Sequence, residues 1–191
     1  LRAEISGGVR RGLEVGDSIV IALAVPEPQG DLSWFRPLFP EVRENPDQSG
    51  NLEATLPQGI RLILTLATPD VFGAAWLAST GSANHLEGLL DRAAAAGVRL
   101  TPQGLFSQDR LLPSREEEDI YGALGLPFIP PELREGLGEL EAAAQGKLPR
   151  LIEFEDVRGC FHVHSYYSDG VNSPAELLAA AQERGWEYVG L

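Results

Sequence analysis

Lysine is almost missing from this 191-residue chain: it occurs once, as Lys147, beside 14 arginines. Methionine is absent altogether. Leu1 therefore reads as an interior residue of a longer protein, and the closing apolar stretch from Trp186 to Leu191 reads as a strand just begun. The expectation is a fragment with both natural ends missing. The single cysteine, Cys160, excludes an internal disulfide and fits a reducing, cytoplasmic setting. No apolar run approaches the ~20 residues needed to cross a bilayer. No basic, apolar, small-residue leader opens the chain, so no membrane partner is expected. Excess positive charge is lacking as well. The net charge is −13. Residues 1–67 carry 9 acids and 6 bases, residues 68–150 carry 12 and 7, and residues 151–191 carry 7 and 2. A duplex-binding surface normally shows a basic face. Affinity for nucleic acid must therefore come from local arginine placement, metal ions or other parts of the protein. An acidic balance also serves solubility alone.

What is present is ordinary for a globular chain, with 43% hydrophobic and 23% charged residues. The length suffices for one large core or two small ones. Residues 1–25 read as strand, turn, strand. The run from Ile19 to Val25 is long enough for a strand buried on both faces, and Pro26 and Pro28 stop it. Residues 26–50 are proline-rich and irregular, with Trp34 and Phe35 as anchors of a short helix. A second apolar strand spans 59–67. Helical character begins at Thr68-Pro69-Asp70, a cap followed by proline in the first turn. A helix is expected over 85–96, ended by Gly97. Another opens at Ser114 with an acid three residues on and ends at Gly125. A further short one spans 131–144, weakened by Gly136 and Gly138. After a linker at 149–157, Gly159 to His164 predicts a strand. Ser173-Pro174 with Glu176 predicts a capped helix ended by Gly185. Strand, loop, helix and strand make a βαβ unit.

The densest chemistry lies in Cys160-Phe161-His162-Val163-His164-Ser165-Tyr166-Tyr167-Ser168-Asp169-Gly170. On a strand, His162 and His164 share a face, and paired imidazoles can hold a divalent transition metal. Asp169 follows in the loop beyond the strand. A bare His-x-His is also compatible with two structural histidines; the added Ser-Asp-Gly and the capped helix favour a metal site. The whole string resembles the opening motif of PHP domains, distorted-barrel phosphoesterases. The resemblance implies that His162, His164 and Asp169 are ligands of a cluster of divalent ions, Mn²⁺ or Zn²⁺, that activates water for phosphate hydrolysis.

The preceding chain resembles the palm and thumb of bacterial and archaeal family X DNA polymerases. The likeness is strongest after Phe72 and sharpest over Glu116 to Glu135. It implies an α+β fold. Residues 1–67 would form a nucleotidyltransferase-like palm with a mixed β-sheet, 68–148 a helix-rich thumb, 149–157 a linker and 158–191 the first βαβ unit of the PHP domain. It implies nucleotidyl transfer to a primer 3′ end in DNA repair, with gapped or primer-template DNA and dNTP as partners, Mg²⁺ or Mn²⁺ at the palm, and a monomer.

Against that pattern the palm departs in several places. Gly7-Gly8-Val9-Arg10-Arg11 stands where the family has Gly-Ser-x-Arg-Arg, so the phosphate-binding hydroxyl is missing at Gly8; backbone N–H groups and Arg11 remain as phosphate contacts. Arg10 belongs to the same turn. Asp17 matches the first catalytic carboxylate, whereas Ile19 and Ile63 stand where the second and third belong. Asp17 alone is equally an ordinary strand-entry aspartate. One carboxylate cannot neutralise and position two divalent ions. Thr80-Gly81-Ser82 resembles the motif beside the nucleotide sugar, and as residues alone it is a helix break and cap. The two aromatics expected before it are Ala78 and Ser79. Two activities follow from the resemblance: a family X polymerase whose palm is impaired, or a metal-dependent 3′–5′ exonuclease that uses palm and thumb as a DNA-positioning scaffold. A non-catalytic DNA-binding module is the third reading, and the acidic charge counts against it.

Overall fold

The computed structural model describes residues 2–28, 35–39, 41–44 and 51–191. Trp34, expected to anchor a helix, lies outside the described residues, as do Pro40 and Pro46 of the irregular stretch. The chain divides into two compact units, Leu1–Leu148 and Pro149–Leu191.

In the first unit, β1 (Arg2–Ser6) runs into a single helical turn, α1 (Gly7–Arg10), and the chain returns along β2 (Ser18–Ala24). β3 (Arg43–Glu44), β4 (Asn51–Thr55) and β5 (Arg61–Ala67) complete a sheet of order β1-β2-β5-β4-β3. It is mixed. β2 lies parallel to β5, and the other neighbours are antiparallel. β2 is half-buried over Ser18–Ile21 and buried on both sides over Ala22–Ala24, for two different reasons. Leu23 joins Leu52, Leu62, Leu64, Leu66 and Phe35 on one face. On the other, Ala22 and Ala24 are small because Phe72 packs directly on them.

Phe72 opens α2 (Phe72–Thr80), after a 3₁₀ turn at Pro69–Val71. α3 (Ala83–Ala95) follows, and Gly97 takes the left-handed conformation (φ 71°) that ends it. Next come β6 (Val98–Thr101), β7 (Gly104–Ser107) and β8 (Arg110–Leu112), a three-stranded antiparallel sheet. The reading of 68–148 as helix-rich did not include these strands. The strands are three or four residues long, and their turns use Pro102-Gln103 and Gln108-Asp109. α4 (Glu117–Ala123) and α5 (Glu139–Ala144) close the unit. Leu77, Leu89, Leu105, Ile120, Tyr121 and Ile129 form its largest core.

Two helix starts differ from expectation. α4 begins after Glu116, whose backbone N–H donates to Asp119 at 3.0 Å; Ser114 is buried two residues earlier, where its N–H and carbonyl bond Asp70 and Gly73. The helix expected over 131–144 is a 3₁₀ turn at Pro131–Leu133 and the separate α5. Gly136 (φ 74°) and Gly138 (φ 99°) interrupt it, since left-handed residues cannot continue a right-handed helix.

In the second unit, β9 (Gly159–Cys160) pairs in parallel with β10 (Tyr188–Val189), and α6 (Pro174–Glu183) joins them. Ser173 caps α6 by accepting from the Glu176 N–H at 3.2 Å, and the Glu176 carboxylate accepts from the Ser173 N–H at 2.7 Å. β9 ends at Cys160, so His162 and His164 lie on a loop and not on the expected strand. His162 sits at φ 62°, a left-handed conformation that breaks strand geometry. Among the described residues, no helix is long and apolar enough to cross a membrane.

Candidate functional site

The Gly-rich turn is seated by what its glycines lack. A Cβ on Gly7 (φ 63°) would lie 2.8 Å from Val20 Cγ2, and one on Gly8 3.0 Å from Leu13 Cδ1. The turn therefore presses against β2. Gly8 and Arg11 come together with Gly16, Asp17 and Ser18 around an open depression of about 400 Å³. Asp17 is exposed and accepts a 2.9 Å hydrogen bond from the Ser18 hydroxyl.

Both arginines of the turn are committed elsewhere. Arg10 donates to the two carboxylate oxygens of Glu117 at 2.7 and 2.8 Å and to the Thr80 hydroxyl at 3.0 Å. Its guanidinium carbon lies 3.5 Å from the ring centre of Trp76. Glu117 is fully buried and takes a second bidentate pair from buried Arg134, at 2.6 and 2.9 Å. Burial alone would raise the Glu117 pKa; the two guanidiniums outweigh it and hold the carboxyl below its ordinary range. Arg11 donates to Glu135 at 2.6 Å and to the Thr80 carbonyl at 2.6 Å. Arg10 and Arg11 thus tie the turn to α2, α4 and the segment after it.

Thr80 is buried, with its hydroxyl 2.9 Å from that of Ser6. Gly81 ends α2, and Ser82 caps α3 by accepting from the His85 N–H at 3.2 Å. Sequence reasoning gave no role to His85, which is buried between two partners. Its Nδ1 lies 2.6 Å from Glu139 and its Nε2 3.0 Å from the Tyr121 hydroxyl. Burial lowers the His85 pKa, more than Glu139 raises it. The neutral ring therefore donates through Nδ1 to a Glu139 carboxylate and accepts from Tyr121 through Nε2. Glu139 also accepts from the Gly136 and Leu137 N–H groups at 2.9 and 2.7 Å. A third histidine near the start of one helix and an acid near the start of another were the only sequence signals of this network.

The donor set around Asp17 does not fit a two-metal centre. Ile19 registers with Leu62, and Val20 with Ile63. Partners in register share a face, so Ile63 projects from the side opposite Ile19. Ile19 shares its face with Leu62 and Leu64, and that face packs into the core with Leu23 and Leu52. Ile63 faces Glu53 across β4, and Glu53 is paired with Arg61 at 3.2 Å.

In the second unit, the His162 and His164 rings stack with centroids 4.9 Å apart at 22°. His164 Nδ1 pairs with Asp169, and this bond leads the interactions that lower the Asp169 pKa. The loop brings these three residues within one turn of chain. Among the described residues, no group of three or more His, Cys, Asp or Glu side chains is arranged to hold a metal ion. The chemistry of the donors still suits a divalent transition metal: a carboxylate on Nδ1 fixes the tautomer and leaves Nε2 as the ligating atom.

Comparison with known proteins bears on both units. The family model described as DNA polymerase beta thumb matches residues 75–135. The chain is 27% identical over 203 aligned residues to the DNA polymerase/3'-5' exonuclease PolX of Bacillus subtilis (strain 168). That alignment covers 97% of this chain and 33% of the relative, so the chain spans about a third of the relative's length. The chain is similar to PolX over its length, and the likeness to the polymerase beta thumb falls within its first unit. The matched thumb segment contains Thr80, Gly81, Ser82, His85, Glu117, Tyr121 and Arg134.

Proposed function

We propose that the chain belongs to a DNA-processing enzyme of family X type in which residues 1–148 position DNA and a metal-dependent phosphoesterase centre of PHP type includes His162, His164 and Asp169. The contrast between donor sets carries this reading. At the palm, among the described residues, Asp17 lies beside an apolar strand face. On the second unit's loop, two imidazoles and a carboxylate meet. The relative is named as both polymerase and 3'-5' exonuclease, and His162, His164 and Asp169 suit the second of these activities.

A divalent ion, Mn²⁺ or Zn²⁺, would supply a Lewis acid and a water of lowered pKa. His162 and His164 would hold it through imidazole nitrogen. Asp169 pairs with His164 Nδ1 and would orient the ring with its other nitrogen toward the metal. The first unit would grip gapped or primer-template DNA without a basic face, and its turn arginines serve the fold more than they serve phosphate. The protein would act as a monomer in the cytoplasm.

A second reading, residual nucleotidyl transfer with Mg²⁺ or Mn²⁺ and a dNTP, draws support from the depression that gathers Gly8, Arg11 and Asp17. The test of the first reading is metal analysis of the full parent protein together with shortening of a 3′-ended oligonucleotide. His162→Ala and Asp169→Ala are expected to lower both bound metal and shortening. Unchanged metal content in both variants contradicts the assignment.

A further inference from the structure

Two tyrosines stand at the tip of the loop that carries His164 and Asp169, and neither the packing of the second unit nor the hydrolytic chemistry uses them. The loop is tied at its base. The Ser168 and Gly170 N–H groups both donate to the Ser165 carbonyl, at 2.9 and 3.1 Å, and the Tyr166 N–H donates to the Asn172 carbonyl at 2.9 Å. A Cβ on Gly170 would lie 2.3 Å from the His164 carbonyl oxygen, so the loop closes this tightly only with glycine there. On this held backbone Tyr166 and Tyr167 remain 54% and 79% exposed. Their ring centroids are 4.5 Å apart at 49°, and the Tyr166 hydroxyl donates to that of Tyr167 at 3.3 Å.

We infer that Tyr166 and Tyr167 form a stacking platform for the terminal nucleobase of a single-stranded 3′ end, next to the candidate metal residues. The inference rests on the hydrolytic reading above. Charge argues for a base as the occupant. Residues 151–191 carry 7 acids against 2 bases, so phosphate neutralisation gives this unit little hold on a strand. Stacking does not depend on charge. Every base offers a π-face, and tyrosine is stiff enough to present its own at small entropic cost. The platform holds the last base while the phosphodiester beside it is hydrolysed, and it tolerates any base. Tyr166 and Tyr167 are binding residues; bond breaking falls to the metal centre.

The experiment uses the full parent protein and two 5′-fluorescent single-stranded oligonucleotides, each protected by a terminal phosphorothioate. One ends in an ordinary nucleotide and the other in an abasic one. Binding is read by anisotropy. Stacking of one base contributes roughly 1–3 kcal/mol, so wild type should prefer the ordinary end by about 5- to 150-fold. The Tyr166→Ala/Tyr167→Ala protein should lose that preference while keeping its bound metal, and Tyr166→Phe/Tyr167→Phe should retain it. Equal binding of the two ends by wild type, as when other parts of the parent chain cover the tyrosines, overturns the platform. A preference that survives the double alanine variant also overturns it. His162→Ala separates the two claims: undiminished hydrolysis in that variant contradicts the hydrolytic reading, whereas the base preference is read by binding alone.

Discussion

Glu117 accepts four hydrogen bonds from two guanidiniums while excluded from water. Such a group is satisfied only as a set. With Glu117→Gln, Arg134 would be left charged and buried without its counter-charge. The expected cost is about 3–5 kcal/mol, read as a fall in the urea midpoint of unfolding. A loss below ~1 kcal/mol would mean that the network relaxes easily. His85 sets a pH dependence. Its folded pKa is depressed, while an unfolded histidine titrates near ~6.5. As pH falls through that value the unfolded chain binds the proton first, so the stability due to a neutral His85 is full above ~6.5 and is lost as pH drops toward the folded value. Glu117 and Glu139, also depressed, add a loss in the same direction below ~4.3. The urea midpoint should be flat from about pH 8 to 7 and decline from about 6.5 downward, with the first part of that decline flattened in His85→Gln. A midpoint that rises on acidification contradicts a neutral, buried His85.

Elements show where sequence was enough. β2 and β5 are mostly apolar runs, and α6 announces itself through Ser173, Pro174 and Glu176. β4 was invisible because Asn51 to Thr55 mixes polar and apolar residues and is a strand only through its pairing with β5. β6 to β8 were hidden for a related reason: strands so short are defined by turns and partners, not by period. At the candidate sites, residue types were legible and commitments were not. Nothing local to Arg10 indicates that Glu117, 107 residues away, occupies its guanidinium. Nor does spacing reveal that His162 leaves the strand with a positive φ. Close approach of elements is also tertiary information. A Cβ on Gly73 would fall 2.3 Å from the Glu116 carbonyl carbon, because the start of α2 abuts the start of α4. Gly73→Ala should therefore destabilise the chain by about 1–3 kcal/mol, although alanine is the better helix former. Unchanged stability in a thermal melt would show that α4 can shift away.

For the whole molecule, likeness and chemistry come apart. The thumb match and the likeness to PolX concern the scaffold, and the scaffold is well made: a mixed sheet, a bonded Gly-rich turn and a buried ionic triad linking it to the matched segment. Catalysis asks for something else, carboxylates gathered on one strand face, and there the chain offers Asp17 beside Ile19, Leu62 and Leu64. The loop of the second unit brings His162 and Asp169 to either side of His164, the three residues proposed above to serve a metal centre. The most direct test is to give the full parent protein a gapped DNA with Mg²⁺ and with Mn²⁺, and to follow primer extension and 3′ shortening in the same lanes beside Asp17→Ala and His162→Ala. The account predicts little extension, insensitive to Asp17→Ala, and shortening that disappears in His162→Ala. Strong extension lost only in Asp17→Ala would contradict it and return catalysis to the palm.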